Sequence, residues 1–453
     1  MSINFKNTRN PILPLEYHVP DGEAHVMPDG RLYVYGSFDD RADVYCSEKY
    51  HVVSTPDMEE WTIHDISFEG KDVPWFGDPN APKYQGIDWT KPTPFIQKML
   101  ANMDMAQEKE KFEQKDEAKK PAILFAPDCI YRDGKYYLYF CMPDDSEGVA
   151  VSDSPEGPFK NPIQLPCGGI DPAIFIDDDG QAYYYWGQLF SHGVKMNEDM
   201  VSLDKTQIVH DLVTEEEHYF HEGSSMRKIG DTYYYVYADM ERGKPTSLGY
   251  ATSKSPLGPF TYRGIIIDND GCDPASWNNH GSIECVNGRW YVFYHRSSRA
   301  TQQYRRLCIE QITILEDGSI PEVKMTSQGP GGPFGAGEAI YGYQACGLTG
   351  KAYIDADGEG SEWLTNISDG DTAVFRYVQA EKGFQEAVFH TQGSGGIRIL
   401  LDDMEVGIAK IQENGYHTIK LDCGAADRKQ ILQELKLVFE DVKELKLVSV
   451  VLN

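Results

Sequence analysis

Five polar residues stand at matching places in a repeated pattern: Asp21, Asp128, Asp171, Glu222 and His280. Each precedes a turn glycine (Gly30, Gly134, Gly180, Gly230 and Gly288), at offsets of 9, 6, 9, 8 and 8 residues. Four of the five are carboxylic acids. Two carboxyl groups in different protonation states can do general acid–base work, one protonating a leaving oxygen and the other activating water. Taken singly, an acid beside a strand and a turn is a solvated surface group. Recurrence at one position of a repeat argues that the set converges in space.

The repeat itself supplies the convergence. Its clearest copy is DPAIFIDDDGQAYYYWG (171–187), an apolar run, an Asp-Gly turn and an aromatic strand, which reads as a β-hairpin. The turn and aromatic strand recur as DGRLYVYGS, DGKYYLYFC, GDTYYYVYA and NGRWYVFYH. The turn glycines are 104, 46, 50 and 58 residues apart, so the first gap holds an insertion. Hairpins at a period of about 40–50 residues are the signature of propeller blades. Five copies predict an all-β, five-bladed β-propeller of four-stranded blades over residues 1–328. The first strand of each blade lines the axis, so residues at equivalent strand ends meet at one mouth. An outer half repeats too, as VVSTPDMEEW, VAVSDSPEGPF and GYATSKSPLGPF.

The insertion covers about residues 71–121. Its first part is loop-like. Residues 96–120 are rich in Lys, Glu, Gln, Met and Ala, with Glu108 near Lys111 and Asp116 near Lys120, which predicts a solvated helix. Trp75 and Phe76 are candidates for the rim of the mouth, where they would touch substrate. GPGGPFGAGE (329–338) reads as a linker. Residues 338–453 carry short alternating strands such as TAVFRYV and IRILLD, which predict a β-sandwich of jelly-roll type.

Composition narrows the partners. A formal charge of −29 argues against nucleic acid and anionic membranes. No stretch approaches the roughly 20 apolar residues of a membrane span. The N-terminal stretch has no apolar signal-peptide core, so a cytoplasmic location is the expectation. The nine cysteines show no CxxC spacing, and Cys46, Cys129, Cys141 and Cys308 read as reduced core residues. The 28 tyrosines suit strands and equally suit packing on a sugar ring.

The hairpins with their upstream acids, PDGEAHVMPDGRLYVYGS, FAPDCIYRDGKYYLYF, IDPAIFIDDDGQAYYYWG, HEGSSMRKIGDTYYYVYA and NNHGSIECVNGRWYVFYH, resemble glycoside hydrolase family 43 over most of residues 10–325. The resemblance implies an inverting α-L-arabinofuranosidase or β-xylosidase acting on small hemicellulose-derived oligosaccharides. It places the general base on Asp21, an orienting acid on Asp171 and the general acid on Glu222. Asp21-Gly22-Glu23 departs from the family's Asp-Pro, which makes Glu23 a rival base. The resemblance also implies a calcium ion on the axis, held through His280 and waters; a hydrogen-bonded core histidine is the alternative. No organic cofactor is implied. Arg296 and Asp128 join Trp75 and Phe76 as substrate-binding candidates, with an ordinary ion pair as the alternative for Arg296. The C-terminal part resembles a family 6 carbohydrate-binding module in ISDGDTAVFRYV and SGGIRILLDD. A second class of reading is a non-catalytic carbohydrate-binding propeller. The matched carboxyl groups favour the enzyme. An inverting site would need its two carboxyl groups about 6.5–9.5 Å apart, and a neighbouring charge such as Asp171 would help the acid keep its proton.

Overall fold

The computed structural model describes residues 2–84, 86, 121–358, 360–423 and 431–453. The helix expected over 96–120 lies outside them. The five aromatic repeats are the second strands of five small antiparallel sheets, the blades of a propeller. The innermost strands are Glu23–Val26, Asp128–Arg132, Ala173–Ile176, Phe220–Ile229 and Ser282–Val286. Blades two and four have four strands. Blade one gains a fifth, because Ile3–Lys6 pairs with the outer strand Glu60–Glu69. Among the described residues blades three and five show three regular strands, so the expectation of four in every blade holds only in part. In blade three the outer position is taken by an irregular segment, bridged from Val209 to Gly193.

In blade five that position is taken by the N-terminal segment. Ile12 donates its N–H to the Leu307 carbonyl. The buried Asn10 side chain acts like a strand residue: Nδ2 donates to the Ile309 and Thr326 carbonyls at 3.0 Å each, and Oδ1 accepts from the Ile309 N–H at 2.9 Å. The ring is thus closed by joining the start of the chain to its fifth blade. Gly22 and Gly281 complete the seam by a parallel bridge between the inner edges of blades one and five.

The tyrosine-rich second strands bind neighbouring blades together. Tyr35 donates its hydroxyl to the Pro155 carbonyl (2.7 Å), Tyr139 to Met200 (2.6 Å), Tyr185 to Pro256 (2.9 Å) and Tyr234 to Gly318 (2.8 Å). Each acceptor sits in the turn after the third strand of the next blade. A tyrosine can bury its ring in the interface and still satisfy its hydroxyl at the edge. This accounts for much of the aromatic repeat and for the repeated outer turns.

Trp75 and Phe76 are part of this packing and not of the mouth. Trp75 is buried, stacked on Phe140 at 6.0 Å between centroids, and its indole N–H donates to Ser146 Oγ at 3.1 Å. Phe76 packs, half-buried, on the same core. Once the loop folds back, the apolar area of Trp75 is worth more inside blade two than in water.

The C-terminal part is built on two long strands, Glu386–Leu401 and Gln433–Leu452. They pair along most of their length, with register breaks at 390–396. Residues 387–391 pair on their other side with Gly415–Lys420, and residues 395–401 with Met404–Ile411. The bend carries both strands from one layer to the other, so they close a β-sandwich over Phe375, Phe389, Ile397, Leu437 and Phe439. The glycine-rich stretch before it packs on the N-terminal segment: Gly331 donates to the Thr8 carbonyl, and Arg9 pairs with Glu338 and lies over the Phe334 ring. Among the described residues no helix is long and apolar enough to cross a membrane.

The seam makes a prediction. Asn10→Ala strands several buried partners, and each unsatisfied group costs about 1–3 kcal/mol. Thermal unfolding of the full chain should start several degrees lower, with loss of the tertiary signal before that of the sandwich. An unchanged melting profile would remove Asn10 from the closure.

Candidate active site

Asp21, Asp171, Glu222 and His280 line one pocket of about 240 Å³, with Tyr45, Cys46, Phe125, Ala126, Ile170, Gln188, Trp277 and Asn278. At about 30 Å³ per water, that is room for a single sugar ring and a water. Each polar side chain arrives from a different blade. Asp21 and Asp171 stand just before the inner strands of blades one and three, with φ of 59° and 56°. Two non-glycine residues in the left-handed region at equivalent positions are strained, and such strain persists where the surroundings over-determine it. The Asp171 N–H is held by Cys141 Sγ at 3.3 Å. Glu222 sits on the inner strand of blade four, between two breaks in its pairing register, and such bulges re-aim side chains. Beside it Gly223 has φ +81°, and a Cβ there would meet the His280 ring at 2.9 Å. Only glycine lets Glu222 and His280 share this corner.

The pocket floor is an ion network that sequence reading did not find. Arg305, fully buried, donates from Nε and Nη2 to both oxygens of Asp39 at 3.0 Å, and from Nη1 to Asp21 Oδ1 at 2.8 Å. The Tyr45 ring lies 4.1 Å from its guanidinium carbon. His295 Nε2 lies 3.1 Å from the Asn278 carbonyl, and its Nδ1 lies 3.4 Å from the Asp21 nitrogen and 3.3 Å from Asp21 Oδ1. Burial alone would push the Asp21 carboxyl up. The charge of Arg305, with the hydrogen bond of His295, outweighs it and holds Asp21 far below the usual carboxylate range. Asp21 is therefore an anion at any working pH.

Asp171 behaves oppositely. Burial first, and then the charges of Glu222 and Asp21, push its carboxyl well above the usual range. Glu222 is half-buried and accepts a hydrogen bond from Gln188 Nε2 at 2.8 Å. His280 Nδ1 lies 3.7 Å from Asp171 Oδ2 and 4.0 Å from Asp21 Oδ1. Burial lowers its pKa, so it is neutral near pH 7. The site thus holds one fixed carboxylate, Asp21, and a buried acid, Asp171, that retains a proton more readily than an isolated one.

The remaining candidates lie elsewhere. Asp128 faces the axis below the pocket. Its oxygens accept from the Ile174 N–H at 2.7 Å, the Cys129 N–H at 2.6 Å and His25 Nε2 at 2.7 Å. Its shorter offset of six residues places it inside the strand rather than before it. Glu23 points the same way, to Arg227 at 2.8 Å and Ser225 at 3.0 Å. Among the described residues, Glu23, His25 and Asp128 are the three acidic or histidine residues whose ligand atoms all lie within 4.8 Å, and Arg227 is paired with Glu23 and with Glu284. Arg296 is buried at the blade-five seam, bonded to the Tyr294 hydroxyl at 3.0 Å and paired with Glu310 at 3.6 Å. The arginine of the pocket is Arg305. Trp277 and Asn278 were legible in the run WNNHG before His280, whereas nothing in YRRL marks a buried guanidinium.

Comparison with known proteins agrees with this geometry. The model of glycosyl hydrolases family 43 matches residues 100–320. Over that span the chain is similar to glycosyl hydrolases family 43. It is 29% identical over 456 residues to a xylosidase/arabinosidase of Thermoclostridium stercorarium, covering 86% of each chain. A family 43 beta-xylosidase/alpha-arabinofuranosidase from a compost microbial metagenome, solved with xylotriose in a calcium-free form, matches at 28% identity. Its TM-score is 0.54, over 71% of this chain and 99% of that one. A Bacillus subtilis arabinoxylan arabinofuranohydrolase structure, at 21% identity and a TM-score of 0.51, covers 98% of this chain and 97% of its own. At that identity it supports the fold alone, including its C-terminal part.

In this pocket the Arg305 fork is the testable centre. Lysine keeps one charge and loses the fork. Because Asp21 is depressed by Arg305, Arg305→Lys should raise its pKa and bring into the kcat/KM profile an acid limb that Asp21 does not give in the parent. Arg305→Ala leaves Asp21 and Asp39 buried without their cation and should destabilise the fold by about 3–5 kcal/mol. The stability from Asp21 is present above the ordinary carboxyl pKa and is lost as the pH falls below it. An acid side of the profile identical to the parent's in Arg305→Lys counts against this account.

Proposed function

We propose that the chain is an inverting exo-glycosidase that releases terminal arabinofuranosyl or xylosyl residues from hemicellulose-derived oligosaccharides. One pocket sized for a single sugar ring, walled by Asp21, Asp171 and Glu222, carries this reading. The named activities of its relatives, and the xylotriose in one neighbour, support the substrate class.

In this reading Asp21 is the general base. Its charge is held by Arg305, and it takes a proton from water as the water attacks the anomeric carbon. Glu222 is the general acid and gives its proton to the departing oxygen as the glycosidic bond breaks. Gln188 orients Glu222, and Asp171, paired with it electrostatically, keeps a proton on the pair. Tyr45 and Trp277, rings 5.4 Å apart and edge to face, form an apolar wall for the sugar. Glu23 is discounted as base because Arg227 holds it on the axis. Arabinofuranoside and xylopyranoside nitrophenyl substrates would rank the two sugars.

Glu222→Ala and Asp21→Ala should each lose about 10²–10⁴-fold on an unactivated glycoside. On an activated aryl glycoside Glu222→Ala should recover part of its rate, since a good leaving group needs little protonation. Asp21→Ala should not recover. Asp171→Asn removes the repulsion within the pair, so the basic limb of the pH–rate profile should move to lower pH. Retained anomeric configuration in the first-formed product, seen by proton NMR, would falsify the inverting assignment.

His280 is the residue we assign to a calcium ion on the axis. Burial keeps its ring neutral, as ligation requires, and water would fill most of the ion's about 6–8 coordination positions. Bound, the ion would supply positive charge beside Asp21 and Asp171. A chelator should then lower activity, calcium should restore it, and His280→Ala should be indifferent to both. Full activity of chelated, metal-free protein removes the ion from the proposal.

A further inference from the structure

Two loops carry the blade-five side of the pocket, and the C-terminal sandwich grips both. The first, 269–280, carries Trp277, Asn278 and His280. Leu348 of the sandwich donates its N–H to the Gly271 carbonyl at 2.7 Å, six residues before Trp277. The second, 297–305, ends at Arg305. Its Arg299 donates its N–H to the Ile354 carbonyl of the sandwich at 2.8 Å, six residues before Arg305. Asp273, 4% exposed, clasps the loops together. Its Oδ1 accepts from the Ala275 N–H at 2.8 Å and its Oδ2 from the Ala300 N–H at 3.1 Å. Cys346 of the sandwich joins the propeller core cluster that contains Cys272.

The second loop needs such support. Arg299, Ala300 and Tyr304 have φ of 61°, 49° and 59°. Non-glycine residues keep these conformations only where their surroundings hold them. The supports are the Ile354 carbonyl and the Asp273 carboxylate. The loop they hold delivers the guanidinium that faces Asp21.

From these contacts we infer that the C-terminal sandwich is a positioning element of the sugar pocket. Leu348 and Ile354, acting through Gly271, Arg299 and Asp273, set the loops that place Trp277 and Arg305. The inference rests on the reading that this pocket binds the substrate sugar, and it gives the sandwich a role in binding whether or not it holds sugar itself.

The Leu348 N–H offers a clean test in the full chain. In the short strand Gly347–Leu348 the bonds to the sheet are made by neighbours: Cys346 donates to Val374 and Thr349 to Thr372. Proline at 348 therefore removes the bond to Gly271 and no bond of the sheet, a position where proline is tolerated. Leu348→Pro should raise KM about 5-fold, the worth of roughly one hydrogen bond, with kcat within about 2-fold of the parent. Leu348→Ala, which keeps the N–H, should match the parent. Asp273→Asn, whose amide nitrogen cannot accept from the backbone, should reproduce the rise in KM. Parent KM values in folded Leu348→Pro and Asp273→Asn overturn the inference, and so does an equal rise in Leu348→Ala. If Leu348→Pro does not fold, Asp273→Asn decides alone. A parent chain without turnover sinks the glycosidase reading instead; the same comparison is then made on the binding of free xylose and arabinose.

Discussion

A carboxylate buried at the bottom of a pocket stays ionised only if a cation is buried with it. Here that cation is Arg305, and the rest of the structure depends on the contact it makes with Asp21 and Asp39. Burial of the three groups is costly in isolation; the bidentate fork, the third bond and the Tyr45 face together compensate it. Because Arg305 comes from blade five and the two aspartates from blade one, the same interaction spans the seam of the ring. Closure of the propeller and ionisation of Asp21 are therefore one event. The N-terminal segment, which completes blade five through Asn10 and Ile12, secures the fold and the charge state together.

The opposite side of the pocket follows a different logic. Among the described residues Asp171 and Glu222 have no cation paired with them, and the charge of Glu222 disfavours that of Asp171. Burial pushes the Asp171 carboxyl up further. One propeller mouth thus offers a carboxylate locked as an anion and a buried acid that retains a proton. That division of labour is what hydrolysis of a glycosidic bond requires. It arises from which blade brings the arginine, since the carboxyl groups themselves come from equivalent positions of the repeat.

The fold shows why surface loops can be held so firmly. Tyrosine hydroxyls tie each of four blades to the outer turn of the next, and the sandwich ties down the loops of the fifth. Of the three left-handed residues before Arg305, Arg299 is held by the Ile354 carbonyl and Ala300 by the Asp273 carboxylate, in two different parts of the chain. Rigid support of this kind preorganises polar groups that must not relax when a sugar leaves.

Much of this was legible in the residues. The Gly-aromatic hairpins, five times over, specify blades, because a strand of alternating Tyr and apolar residues must bury both faces between neighbours. Their offsets of 9, 9, 8 and 8 residues point to Asp21, Asp171, Glu222 and His280, since equivalent strand ends meet on a common axis. The departures have physical causes. Asp128 and Glu23 are one side of a strand away from the mouth, and alternation turns them to the axis beneath it. Trp75 was a loop residue in sequence, and only the folded neighbour Phe140 decides that it is core. Arg296 and Arg305 both flank strands of blade five, and no local pattern distinguishes them. The tertiary structure alone brings Arg305 onto Asp21 and leaves Arg296 at the seam, because a long-range ion pair depends on where two distant segments meet and not on what surrounds each in the chain.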